Sequence, residues 1–127
     1  MENKKNILIV EDQKTLRDAL RLKLIKNGFD VIEAINGEEG LVMSLDKHPD
    51  LILLDLIMPR MDGLTMLKKM RDDDWGKNVP VVILTNIILN ENERKDITEL
   101  DPIHYFVKVD IKIEELVTKI KEKLGVK

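Results

Sequence analysis

The chain has no cysteine, which excludes disulfides, zinc–thiolate centres and thiol catalysis. Its two histidines, His48 and His104, lie far apart and are too few for a histidine-rich metal centre. No apolar run approaches the roughly 20 residues that a membrane span needs. The opening Met1-Glu2-Asn3-Lys4-Lys5 lacks the long apolar stretch and small-residue cleavage site of a secretory signal. Membrane insertion is therefore not expected, and the cytoplasm is the expected location. Excess positive charge is missing too: the formal net charge is -3, with both signs interspersed, so direct nucleic-acid binding through a broad basic face is not expected. What the chain does have is 43% hydrophobic residues within 127, enough for one core and too little length for two domains.

Five short apolar runs punctuate it: Asn6–Val10, Phe29–Ala34, Leu51–Leu54, Val79–Leu84 and His104–Val107. Each is rich in Ile, Val or Leu and short enough to be a strand. Helical spacing fills the intervals. Leu16, Leu20 and Leu24 recur every four residues, and Ile113, Leu116, Val117, Ile120 and Leu124 form the apolar stripe of an amphipathic last helix. Gly37-Glu38-Glu39 opens a second helix and Asp62-Gly63 a third, while Gly28 and Gly125 stand where helices should stop. A fourth, mostly polar helix is placed at about Leu89–Thr98.

Strictly alternating strands and helices imply a parallel sheet covered on both faces. The first, third and fourth runs are continuously apolar, as central strands are, whereas the second and fifth mix in polar residues, as edge strands can. With right-handed crossovers the economical arrangement is a flavodoxin-like α/β (βα)5 three-layer sandwich, its five-stranded parallel sheet in the order 2-1-3-4-5.

In such sheets ligands bind at the carboxyl ends of the strands, where the strand order reverses. Here that point falls between strand one, which runs into Glu11-Asp12, and strand three, which runs into Asp55. Taken singly, Asp12 could cap the first helix and Asp55 could be a polar loop residue. Together the carboxylates repel one another unless a cation neutralises them or one stays protonated, and hard oxygen ligands of this kind suit Mg²⁺. Strand four ends in the hydroxyl of Thr85 and strand five in the cation of Lys108. An attacking carboxylate, acidic metal ligands, a hydroxyl and a lysine are what a transferred phosphoryl group requires.

With these residues in that order, the sequence resembles the receiver domain of two-component response regulators. The resemblance runs from Ile7-Leu8-Ile9-Val10-Glu11-Asp12 through the last helix, and its sharpest segment is Leu53-Leu54-Asp55-Leu56-Ile57-Met58-Pro59-Arg60-Met61-Asp62-Gly63. It implies one receiver domain over residues 1–127, with no output domain after the last helix. Asp55 is by that likeness the phosphoacceptor, charged from the phosphohistidine of a sensor histidine kinase or a phosphotransfer protein. Glu11, Asp12, Asp55 and the Ile57 backbone carbonyl would hold Mg²⁺. Thr85 matches the switch hydroxyl, Lys108 the phosphate-binding lysine and Tyr105 the switch aromatic. Phosphorylation would then remodel the α4-β5-α5 surface to regulate a downstream protein target, with a phosphorylation-dependent homodimer left open. No turnover enzyme is implied beyond Mg²⁺-dependent self-phosphorylation and slow autodephosphorylation.

Three departures from the family pattern carry physical readings. Val109 follows Lys108 where the family has a cis proline, and a cis bond before valine costs about 2.5–4 kcal/mol, so a trans bond is expected. Asn86 after Thr85 is larger than the family's small residue. Ile57 and Ile87, two positions beyond Asp55 and Thr85, are aliphatic where the hydrolytic water must pass, which disfavours in-line attack and implies slow loss of phosphate. Other classes fit less well. An aspartate-nucleophile phosphohydrolase wants an acid at Ile57. A flavin domain wants a phosphate cradle where Glu11-Asp12-Gln13-Lys14-Thr15 is acidic. The competing expectation is a phosphate-independent interaction module that keeps the fold.

Overall fold

The computed structural model describes residues 4–85, 91–99, 104–107 and 112–126. Strands and helices alternate along the chain: β1 (Asn6–Val10), α1 (Lys14–Lys26), β2 (Asp30–Ala34), α2 (Gly37–Lys47), β3 (Leu51–Leu54), α3 (Gly63–Arg71), β4 (Val81–Thr85), α4 (Glu91–Glu99), β5 (His104–Val107) and α5 (Ile113–Leu124). β2, β1, β3 and β4 lie side by side in the order read from the sequence, all parallel, and the β5 backbone pairs with β4.

The alternation of side chains along each strand divides the core in two. Leu8, Val10, Ile52, Leu54, Val81 and Ile83 face one layer, where Met66, Leu67 and Met70 of α3 pack against them. Ile7, Ile9, Leu51, Leu53, Val82 and Leu84 face the other, against Leu20 and Leu24 of α1 and Leu116, Val117 and Ile120 of α5. Because both faces are covered, β1, β3 and β4 are buried almost throughout, which is why they read as unbroken apolar runs. β2 is only partly buried, as its mixed sequence foretold.

The ends of the elements follow local chemistry. β2 begins at Asp30, one residue later than the apolar run, and β4 spans Val81–Thr85 rather than Val79–Leu84. Pro80, which has no N–H to give to a ladder, stands just before β4. The Asn36 side chain caps α2 by accepting from the Glu39 N–H at 2.8 Å, and Asp62 caps α3 by accepting from Thr65 at 2.8 Å. α1 ends at Asn27 with Gly28 at φ 90°, and α5 ends at Gly125 with φ 66°. α2 ends at His48 in the left-handed region, the residue before Pro49. The His48 ring stacks on Trp75, with centroids 4.4 Å apart and planes 9° from parallel. None of the described helices is long and apolar enough to cross a membrane.

One glycine governs where the site will lie. Gly63 opens α3 directly against the end of β3, its N–H donating to the Leu56 carbonyl at 3.0 Å. A Cβ there would run into the Asp55 carbonyl oxygen and approach the Leu56 Cα to 2.8 Å. Backbone cannot yield as a flexible side chain does. Gly63→Ala is therefore expected to lose about 1–3 kcal/mol of stability, read as a lower urea midpoint, and to shift the amide NMR signals of Asp55 and Leu56.

Candidate functional site

The parallel register brings the carboxyl ends of β1 and β3 level. Val10 is paired with Leu54, so the next residues, Glu11 and Asp55, leave the sheet side by side. The Asp55 N–H donates to the Val10 carbonyl at 3.1 Å, and the Glu11 N–H donates to the Ala34 carbonyl at 3.0 Å. Both residues are thus still held by the ladder when their side chains reach the crevice. Glu11 is 2% exposed and Asp55 4%, whereas Asp12 lies open to solvent.

Glu11, Asp12 and Asp55 each present one carboxylate oxygen, and these oxygens lie within 4.8 Å of one another. Opposite ligands on a cation with bonds of about 2.1 Å stand about 4.2 Å apart. Adjacent ligands stand about 3.0 Å apart, so the donor set fits a small hard cation once the carboxylates close in by on the order of 1 Å, or with a water in place of one of them, the usual habit of Mg²⁺. Side-chain hydrogen bonds orient the set. Glu11 Oε2 accepts from the Gln13 N–H at 3.0 Å, and Asp55 Oδ1 accepts from the Ile57 N–H at 3.3 Å.

Asp12 does not serve as the cap of α1. The cap position is Gln13, with no side-chain cap hydrogen bond, so the capping explanation for that carboxylate is removed. Thr85, fully buried, closes β4 next to this crevice, since Leu54 is paired with Ile83 two residues earlier. Thr85 is itself paired with Val107 of β5. Lys108, the next residue, lies outside the described residues, as do Asn86, Ile87 and Val109. Of Tyr105 the structure describes the strand backbone, paired with Ile83. Ile57 is 58% exposed at the lip of the crevice, an apolar side chain beside the acidic cluster.

Sequence reasoning missed a cationic network behind the loop. Arg17 donates from Nε to Glu33 Oε2 at 3.0 Å and from Nη1 to the Glu11 carbonyl at 2.9 Å. Arg21 donates to the other Glu33 oxygen at 3.0 Å and to Asp18 at 2.9 Å. The Lys14 ammonium, bonded to Asp18 at 2.6 Å, together with Arg21 holds the Asp18 carboxyl below its ordinary range. The i, i+3 and i, i+4 spacings on α1 were visible in the sequence; the partner on β2 was not.

The response regulator receiver domain family matches residues 7–121. The chain belongs to that family. Membership places this receiver domain in two-component signalling, within a family of phosphoacceptor signalling domains that are generally not turnover enzymes. The DNA-binding dual master transcriptional regulator RpaA of Synechocystis is 37% identical over 79 residues, 62% of this chain and 33% of that protein. This receiver domain spans between a sixth and two fifths of the length of the curated relatives it matches. A receiver domain protein of Methanospirillum hungatei superposes with a TM-score of 0.88 at 26% identity, covering 97% of this chain and 95% of that one. A Borrelia burgdorferi structure described as a CheX-CheY-BeF3-Mg complex superposes with a TM-score of 0.83 at 27% identity, covering 97% and 90%.

Crowded carboxylates should make the metal-free receiver domain less stable than its neutralised forms. Asp55→Asn is expected to raise metal-free stability by about 1–2 kcal/mol, the scale of one like-charge contact at this distance in a partly screened site. Mg²⁺ at ten times its dissociation constant should stabilise the wild type by about 1.4 kcal/mol. Urea melts with and without Mg²⁺ check both; an Asp55→Asn protein less stable than wild type without metal would contradict the first.

Proposed function

We propose that this receiver domain takes a phosphoryl group onto Asp55 from the phosphohistidine of a sensor histidine kinase or a phosphotransfer protein, in the cytoplasm. The observation that carries the reading is the convergence of the Glu11, Asp12 and Asp55 carboxylate oxygens within 4.8 Å, at the carboxyl ends of adjacent strands. We take β5 as the fifth strand of the complete 2-1-3-4-5 sheet and the chain as one receiver domain.

In the transfer, an Asp55 oxygen attacks phosphorus, an O–P bond forms, and the N–P bond to the histidine breaks with its electron pair returning to the imidazole. Glu11, Asp12, Asp55 and the Ile57 carbonyl would hold Mg²⁺, which when bound supplies positive charge against the phosphoryl oxygens. Ladder hydrogen bonds at Glu11 and Asp55 hold the nucleophile and the acidic ligands in place, so little reorganisation is left for the reaction. Thr85 would donate its hydroxyl proton to a phosphoryl oxygen, and Lys108 would supply the second cation. The switch would run through Thr85 and Tyr105 to the α4-β5-α5 surface, biasing the contact with a downstream protein target. Contact with DNA is not part of the proposal.

Intact mass after incubation with Mg²⁺ and a small acyl phosphate tests the chemistry. One added phosphoryl group is expected in the wild type, lost with EDTA and in Asp55→Asn. No added mass, with Mg²⁺ binding shown separately, would favour a phosphate-independent interaction module instead.

The lip of the crevice bears on how long the phosphoryl group persists. An exposed aliphatic at position 57 offers no hydrogen bond to orient an attacking water. Replacing the isoleucines two positions beyond Asp55 and Thr85, Ile57→Asn with Ile87→Glu, is expected to shorten the phosphoryl half-life at least tenfold, less than the roughly hundredfold or more that a fully positioned acid or base contributes. An unchanged decay of the phosphorylated mass would show that these side chains do not set the rate.

A further inference from the structure

We propose that Arg17 is a positioning residue for the cation site, holding the β1–α1 loop so that Glu11 and Asp12 face Asp55; the proposal rests on the Mg²⁺ reading above. Arg17 sits one turn into α1, and helical side chains lean toward the N-terminus of their helix, so its guanidinium reaches back over the loop. There it donates from Nη1 to the Glu11 carbonyl at 2.9 Å and, more weakly, to the Asp12 carbonyl at 3.4 Å. From Nε it donates to Glu33 Oε2 at 3.0 Å. Its side chain is 14% exposed, so these bonds are shielded from much of the competing water.

The consequence is geometric. Glu11 is fixed on its amide side by the bond to Ala34 and on its carbonyl side by Arg17. Its carboxylate in turn holds the Gln13 N–H. The loop therefore has a fixed peptide on each side of its first acidic residue, and the planar fork ties it to β2, whose Glu33 is paired with Ile9 of β1. α1 has no side-chain cap at Gln13 to do this instead. Arg21 shares Glu33 but is turned away from the loop: it donates to Asp18 and Glu33.

The direction of the effect separates positioning from charge. Arg17 is a cation near an anionic site, so if it acted by charge alone its removal would tighten Mg²⁺ binding. A positioning role predicts the opposite. Arg17→Met keeps the apolar stem and is expected to weaken Mg²⁺ binding about tenfold, the low end of what losing a residue behind the ligands costs. Arg17→Lys is expected to recover part of the loss, because an ammonium can reach one of the two anchors but lacks the fork. Arg21→Met breaks the same ion-pair network and should leave Mg²⁺ affinity unchanged.

The measurement is a Mg²⁺ titration of the folded proteins followed by amide NMR shifts, with metal-free hydrogen exchange at the Gln13 amide as a second readout. Weaker Mg²⁺ binding and faster exchange in Arg17→Met, with neither in Arg21→Met, would support the assignment. Unchanged or tighter binding in Arg17→Met, or an equal loss in Arg21→Met, would overturn it. A wild type that binds no Mg²⁺ would bring down the underlying reading and this inference with it.

Discussion

Everything near the crevice follows from one constraint: a parallel ladder buried on both faces fixes the height at which each strand ends. Val10 must stand opposite Leu54 because both lie in the same core layer, so Glu11 and Asp55 emerge together. Their carboxylates cannot separate without pulling apolar side chains out of register, and a slip of one residue would turn every one of them to the wrong layer. The core thus imposes a charge conflict that the site alone would relieve by moving apart. A cation is the natural relief, and a group brought in with negative charge of its own adds to the demand for one.

α1 mediates between that core and that conflict. Its inner face, Leu20 and Leu24, belongs to the apolar layer it shares with α5. Its first turn belongs to the loop. The Lys14, Asp18, Arg21, Glu33 and Arg17 chain of charges then runs from the solvent edge of the helix to β2. Pairs on the solvent side of that chain are screened and contribute little to stability. The pair between Arg17 and Glu33 is more sheltered and ties two elements together, so its value is in geometry more than in energy.

How much of this was legible in the sequence depended on how local the cause was. The strands could be read because two-sided burial leaves unbroken apolar runs, and the acidic cluster could be read because strand ends at a switch point converge. Edges shifted where one residue overrode the run, as Pro80 does before β4. The cap at Asp62 is visible in the Asp-Gly pair, whereas the Asn36 cap precedes the glycine that drew the eye. The Arg17–Glu33 bridge was illegible because its partners are 16 residues apart on different elements, and nothing local marks either as the other's counterpart. For Asp12, readable equally as cap or ligand, only the backbone removes the cap reading, because it places the cap at Gln13 and the helix from Lys14.

The stack of His48 on Trp75 lies at the amino ends of the strands, where α2 turns toward β3 and the chain turns toward β4. The acidic crevice lies at their carboxyl ends. Trp75 is also the sole tryptophan of the chain. The molecule therefore carries its one strong intrinsic fluorophore at the pole opposite its chemistry. Emission from that indole follows the integrity of the scaffold, while events at the carboxylates must be watched by other means. Optically, the fold separates its state of folding from its state of signalling.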